Sequence, residues 1–231
     1  MIDNYRGNAR KAEENTIIKL VLDNKDLKSD KEVVAEIFTL MITGFDTTAY
    51  TLSSTLILLA KNPRVTRKLR KELLKMDPSN WSKSLYLRCV IQESKRLLPI
   101  VAQGLTRTVS KEYIVQTPPN KPNITIPKES TVMIPYIIPF HDPATFKDPE
   151  TFYPERWEPE KITQQMKDAF IPFSLGKRNC VGQSLAMAEL YSTIPKLVAV
   201  YDFEVEVEGK IEYFLTMKYK GCRLKATKIA S

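Results

Sequence analysis

This chain of 231 residues has one histidine, three scattered cysteines and no apolar run of membrane-spanning length. With His141 as its sole imidazole, and with no CxxC or His–Cys spacing, nothing suggests a zinc centre. A lone histidine is ordinarily a loop or core hydrogen-bonder. Cys89, Cys180 and Cys222 are too far apart to form the dense disulfide framework of a small secreted domain. That usage fits a reducing compartment, so an intracellular location is expected. No stretch reaches the ~18 uninterrupted apolar residues of a membrane helix, and Met1–Arg6 lacks the pattern of a signal peptide. Internal repeats and low-complexity segments are absent too.

What is present can build a sizeable core, since 43% of the residues are hydrophobic. The net charge is +8, yet Lys and Arg are spread along the chain except between Arg64 and Lys75. There Arg64, Arg67, Lys68, Arg70, Lys71 and Lys75 alternate with Val65, Leu69, Leu73 and Leu74. This reads as a solvated helix face, and nucleic acid is not expected as a partner.

Ser29-Asp30-Lys31-Glu32 is a capping box, and the apolar pattern behind it runs to Ala60 before Asn62-Pro63. Near-continuous apolarity from Val33 to Leu59 predicts a long helix, about 30–60, buried on nearly every face. A short amphipathic helix is expected over Glu14–Asp23. Another starts with Asn62 as cap and Pro63 at its first position, ending near Asp77. A further helix covers about 85–98 and is stopped by Pro99. Prolines then punctuate coil and short strands over 100–172. Glu204–Val207 and Ile211–Leu215 suggest a terminal hairpin within 202–228, with another strand near Arg223–Ala226. The expected fold class is mainly α with small β-sheets.

Three constellations carry chemistry. The first is Phe173-Ser174-Leu175-Gly176-Lys177-Arg178-Asn179-Cys180-Val181-Gly182. Pro172 and Gly176 break regular structure, so Cys180 leaves a turn at the start of a helix over about Gln183–Leu197. A thiolate there is favoured by the positive helix end and by Arg178. Gly182 lets a flat, bulky group approach the backbone. The second is Thr43-Gly44-Phe45-Asp46-Thr47-Thr48 inside the long helix. Glycine costs ~1 kcal/mol in a helix interior, and the Thr hydroxyls can capture carbonyls four residues back and loosen the helix. A functional irregularity is therefore expected. The third is Glu93-x-x-Arg96, set among Val90, Ile91, Leu97 and Leu98, with Arg156 downstream in Tyr153-Pro154-Glu155-Arg156-Trp157. Buried charges of this kind must be paired, so these residues are assigned to structure.

Together these motifs resemble the C-terminal half of the cytochrome P-450 superfamily. The resemblance implies haem (heme b, iron protoporphyrin IX) with Cys180 as axial thiolate to the iron, Arg178 on a propionate and Phe173 shielding the sulfur. It implies that Gly44 leaves room for O2 and that Asp46 and Thr47 supply the protons consumed in O–O cleavage. Thr43 stands where Ala or Gly is common, and Trp157 replaces the usual Phe. It further implies a buried lock of Glu93, Arg96 and Arg156, and a propionate contact from Arg107. Phe140-His141-Asp142-Pro143 departs from the family's His-Arg-Asp-Pro.

The implied activity is insertion of one atom of O2 into a small apolar organic substrate, with electrons from a reductase or ferredoxin. Lys167, Lys177 and Arg178 suit an acidic donor. Two alternatives are a haem-thiolate isomerase or lyase acting on peroxides, and a non-catalytic fragment. Family members are about twice as long, so a truncated, aggregation-prone chain with weak haem uptake is expected. Membrane association, at the endoplasmic reticulum, would come only through an N-terminal anchor outside this sequence.

Overall fold

The computed structural model describes residues 16–213 and 216–229. The first residues of the helix expected from Glu14, and Phe214 and Leu215 of the expected hairpin, lie outside them. The chain divides into two compact units, Met1–Thr47 and Thr48–Ser231.

In the first unit, helix α1 (Ile17–Leu22) starts where Thr16 accepts the N–H of Lys19 at 3.2 Å. Helix α2 (Asp30–Lys61) begins in this unit and continues unbroken past its boundary. The capping box forms: Glu32 N–H donates to Ser29 Oγ at 3.3 Å, and Ser29 N–H to Glu32 Oε2 at 3.1 Å. Two orphan donors at the helix start thereby gain partners. Thr39, Thr43 and Thr47 donate their hydroxyls to the carbonyls four residues back, at 2.8, 2.7 and 2.7 Å. The carbonyl capture expected at 43–48 is there, but it forms a ladder within continuous helix rather than a break.

The expectation that α2 is buried on nearly every face is corrected. Val34, Phe38, Met41, Ile42 and Phe45 are exposed, Phe45 to 74%. From Thr48 onward the helix enters the core, with Thr55, Ile57, Leu58 and Leu59 buried. Apolar periodicity reports which residues seek cover, not which find it.

The second unit is built on α3 (Pro63–Leu73), α4 (Leu85–Leu97) and α7 (Gln183–Val200). Leu59, Leu69, Leu87, Ile91, Leu190 and Ile194 are sealed in one cluster with Phe146 and Trp157 from the coil. Each such side chain contributes ~1.5–3 kcal/mol on burial. Asn62 makes no side-chain cap; its amide instead donates to Leu58 O at 2.7 Å, closing the end of α2. Helix α3 stops at Leu73 rather than near Asp77, and the Leu73 carbonyl at its end accepts both Met76 N–H at 2.9 Å and the Trp81 indole N–H at 2.8 Å. Asp77 caps the following 3-10 helix, Pro78–Lys83, through Ser79 N–H at 2.8 Å.

Two short helices, α5 (Ile137–Phe140) and α6 (Gln164–Ala169), interrupt the coil. The strands pair only in antiparallel twos: β1 (Thr106–Thr108) with β4 (Thr131–Met133), and β2 (Tyr113–Val115) with β3 (Ile124–Ile126). At the C-terminus β5 (Tyr201–Val207) pairs with β8 (Arg223–Lys228), while β6 (Lys210–Tyr213) pairs with β7 (Met217–Lys220). The expected pairing of Glu204–Val207 with the segment from Ile211 is thus corrected to a nested arrangement. Gly209 is not a hairpin-turn glycine. A Cβ there would sit 2.6 Å from Cys222 Cβ and 2.8 Å from Lys220 O, so the returning strand occupies its space. The fold is mainly α with small sheets, as the composition of its elements predicts.

Candidate functional site

The cysteine loop hangs between α6 and α7. Ser174 and Gly176 take positive φ, 62° and 72°, which glycine adopts without strain. These reversals bring Cys180 N–H back onto Phe173 O at 2.9 Å. Asn179 N–H closes the tip on Gly176 O at 3.1 Å. Cys180 precedes the first residue of α7 by three positions, and its carbonyl accepts from Gln183 N–H at 3.4 Å. The thiol is free and exposed.

Around it Leu175, Val181 and Leu185 are also exposed, Val181 to 88%. Arg178 is exposed with no hydrogen-bond partner among the described residues. A Cβ at Gly182 would meet only Cys180 Sγ, at an ordinary 3.9 Å, so the protein's own contacts do not require glycine there. A free soft ligand, an apolar collar, an uncommitted guanidinium and a dispensable-looking glycine fit a flat apolar group with anionic arms. Haem has that chemistry.

Behind the loop stands a buried carboxylate. Glu93 and Arg96 on α4 both have 0% side-chain exposure. Glu93 accepts five N–H donors: two from Arg96 at 2.9 and 3.0 Å, and one each from Arg156 at 3.0 Å, Tyr153 N–H at 3.0 Å and Trp157 Nε1 at 2.8 Å. The guanidiniums then reach outward. Arg96 donates to Phe140 O and Pro149 O, at 2.8 and 2.6 Å. Arg156 donates to Lys147 O at 2.9 Å. Two helix residues thereby hold coil spanning residues 140–157. Glu93, Arg96 and Arg156 are brought together as the structural set.

The Trp157 indole N–H does something a phenylalanine could not, so its substitution is more than conservative. His141 is half-buried, with Nδ1 3.0 Å from Ile137 O.

The solvated face expected over Arg64–Lys75 is partly corrected. Arg64 and Lys68 donate to Glu155 at 2.8 and 3.0 Å, Tyr86 Oη adds a third donor at 2.8 Å, and Arg70 holds Val198 O and Tyr201 O at 2.8 Å each. Burial alone pushes the Glu155 carboxyl up, but the hydrogen bonds from Arg64, Lys68 and Tyr86 outweigh it and hold it down at about 2. Because its folded value lies below the ordinary 4.5, its contribution to stability is complete above pH 4.5 and is lost as pH falls toward 2. Glu155→Gln should therefore flatten the acid limb of the unfolding midpoint between pH 4.5 and 2. An unchanged limb in thermal melts across that window would count against the role.

The remaining candidates belong to other elements. Arg107 is exposed on β1, its guanidinium on Thr106 O at 2.9 Å. Gly44, half-buried Asp46 and Thr47 belong to the first unit, on α2. A Cβ at Gly44 would meet nothing within 4 Å. Among the described residues no cluster of His, Cys, Asp and Glu could hold a metal ion, and no helix is long and apolar enough to cross a membrane.

Comparison with known proteins bears directly on this arrangement. The sequence profile of the family described as Cytochrome P-450 matches residues 1–226. The chain is 33% identical over 230 residues to the probable cytochrome P-450 6a13 of Drosophila melanogaster, spanning 91% of this chain and 46% of that protein. It is 32% identical over 219 residues to cytochrome P-450 3A40 of Oryzias latipes, spanning 89% and 42%. With the cytochrome P-450 monooxygenase traB of Penicillium crustosum it shares 33% over 204 residues, spanning 83% and 39%. A crystal structure of a cytochrome P-450 superposes with TM-score 0.85 at 24% identity, spanning 99% of this chain and 53% of that one. The chain thus spans under half the length of these curated relatives.

Proposed function

The chain belongs to the cytochrome P-450 family, and from that membership we propose that it forms the thiolate-bearing part of a haem-dependent monooxygenase. The observation that carries this reading is Cys180: a free, exposed thiol on a loop reversed by Ser174 and Gly176, whose apolar collar has no internal partner. Cys180 would hold the haem iron, Arg178 a propionate, and Gly182 would let the ring edge approach the backbone; Arg107 is a further propionate candidate. When bound, the group supplies O2 activation and thiolate electron donation that favours O–O cleavage.

The protein's own residues do the rest. Phe173 O fixes the Cys180 backbone at 2.9 Å, so the residue that carries the sulfur is held in place. The Glu93 lock holds the coil behind that loop. On α2, Gly44 leaves the helix face clear of a side chain. Asp46 and the Thr47 hydroxyl are proposed to hand on protons, and Thr47 Oγ1 would turn from Thr43 O, its present acceptor at 2.7 Å. That acid–hydroxyl pair favours O2 chemistry over isomerisation of a peroxide, which consumes no protons. The proposed substrate is a small apolar organic molecule, and the proposed electron donor a reductase or ferredoxin. Lys167, Lys177 and Arg178 offer positive charge to an acidic donor surface. An intracellular location, at the endoplasmic reticulum for a form with an N-terminal anchor, belongs to the same proposal.

Haem titration of this chain tests the reading: uptake in a one-to-one ratio with a sharp Soret band supports it, and no uptake refutes binding by these residues alone. In the complete, haem-loaded protein, Thr47→Ala should keep O2 consumption while diverting electrons to hydrogen peroxide. Unchanged product per electron pair would remove Thr47 from the proton path.

A further inference from the structure

Lys95 occupies one of the two positions between Glu93 and Arg96, and its environment differs from that of both neighbours. It is 8% exposed, yet no carboxylate or carbonyl receives its amine. Its polar contact is Met187 Sδ at 3.6 Å, and the rings of Phe173 and Phe170 lie 4.9 and 5.8 Å away. Lys95 lines a cleft of about 390 Å³ between α4, the end of α6 with the coil that follows it, and the start of α7. Lys167 is the other charged side chain lining that cleft, and Phe170, Phe173 and Met187 form its apolar wall. Gln92 also lines it, three residues before Lys95 on one helix face, and its Oε1 is buried with no hydrogen-bond partner. The cleft therefore pairs an unsatisfied acceptor with a nitrogen that lacks an oxygen partner. Neither belongs to the thiolate loop's own hydrogen-bond scheme.

A lysine in such surroundings loses its hydration and gains no counter-ion, so its neutral form is favoured. Burial pushes the Lys95 ammonium down to about 7. The faces of Phe170 and Phe173 favour the cation, and Lys167 opposes it by like charge. Across the cleft, α7 contributes the uncharged Gln183 and Met187, and Glu93 and Arg96 on the same helix are spent on each other. A neutral primary amine at the foot of an apolar cleft is a nucleophile.

We propose that Lys95 is a covalent binding site for small apolar aldehydes, its amine forming an imine with a carbonyl compound seated against Phe170 and Phe173. The nitrogen lone pair attacks the carbonyl carbon as the C=O π bond breaks, and one proton moves from nitrogen to oxygen. The resulting carbinolamine hydroxyl is a donor that Gln92 Oε1 lacks. Loss of water then leaves the C=N bond, and no electron is gained or lost by the protein. The proposal is independent of haem, and occupancy would press on Phe173 behind Cys180.

The test uses the intact chain with benzaldehyde as probe and cyanoborohydride to reduce the imine to a stable secondary amine, followed by peptide mass mapping. At pH 7 Lys95 should be benzylated on the order of tenfold faster than exposed Lys225, because an amine in water stays protonated until pH nears ~10. Its yield should rise through pH 7 and level off near pH 8. Lys95→Arg, which keeps a long nitrogen-bearing side chain but has no nucleophilic amine, should lose that adduct and leave all other labelling unchanged. Labelling of Lys95 at or below the rate of Lys225, or a yield still climbing above pH 9, overturns the proposal. A Lys95→Arg chain that keeps the fast adduct at another lysine overturns it equally.

Discussion

Replacing Glu93 by glutamine should remove about 3–5 kcal/mol of stability, the range found when one partner of a buried ion pair is deleted. The reason lies in the count of donors. Glu93 receives five N–H groups, and two guanidiniums share its charge. A neutral amide keeps the shape but presents one oxygen and two further N–H groups, so donors face donors. Arg96 has 0% side-chain exposure and cannot regain water. Since a domain holds only ~5–15 kcal/mol in total, the variant should melt far below the parent or fail to fold. Trp157→Phe supplies the contrast: it deletes one donor to a charged acceptor, worth ~1.5–3 kcal/mol, and leaves both charges paired. Urea unfolding of the three proteins separates the cases. A Glu93→Gln loss under ~1 kcal/mol would mean that the two guanidiniums find other compensation, and the lock would then not depend on the Glu93 charge.

The parts of this fold that the sequence discloses are those whose causes are local. Ser29 and Glu32 lie three apart and cap each other. Glu93 and Arg96 lie three apart on α4, and the apolar flanks at Val90 and Ile91 announce their burial. Phe173, Gly176 and Cys180 are joined by one short loop, so their spacing carries its shape. What stays hidden depends on distant partners. Glu155 meets Arg64 across 91 positions, and nothing near either residue signals the other. Trp157 reads as a substitute for Phe because composition counts its ring and ignores its N–H. The cleft around Lys95 stays hidden too, since it is closed by Met187 and Phe173 from far along the chain. The constraint at Gly209 is equally distant: Cys222, which fills its space, lies in the link between the two last strands.

The exposed apolar residues of α2 follow a similar logic. Phe38, Met41, Ile42 and Phe45 sit on a helix whose pattern asks for cover, and they are exposed in the described structure. The pattern is a statement about the sequence's requirements, and this chain spans under half the length of the curated relatives it matches. In this chain that surface should favour association, since contiguous exposed apolar area beyond a few hundred Å² is uncommon on soluble monomers.

Cys180→Ser should abolish the red-shifted Soret band of thiolate ligation in the reduced, CO-bound protein, while leaving the fold at its parental stability. Both halves of that expectation come from the same geometry. The Cys180 thiol is exposed and lies outside the core, so its loss removes no buried contact, and surface changes of this kind stay within ~0.5 kcal/mol. The loop keeps its shape, because the Cys180 N–H to Phe173 O bond uses the backbone. The hydroxyl of serine, however, is a hard and weakly acidic ligand where iron requires a thiolate. Cys89 supplies the control in the opposite sense. It is fully buried, and burial pushes its thiol up to about 11, so Cys89→Ser should cost stability and spare the spectrum. If Cys180→Ser kept the thiolate band, the ligand would have to be Cys89 or Cys222. Of these, only half-buried Cys222 could be reached without opening the core, and its strand-end setting offers no helix start and no neighbouring Arg178.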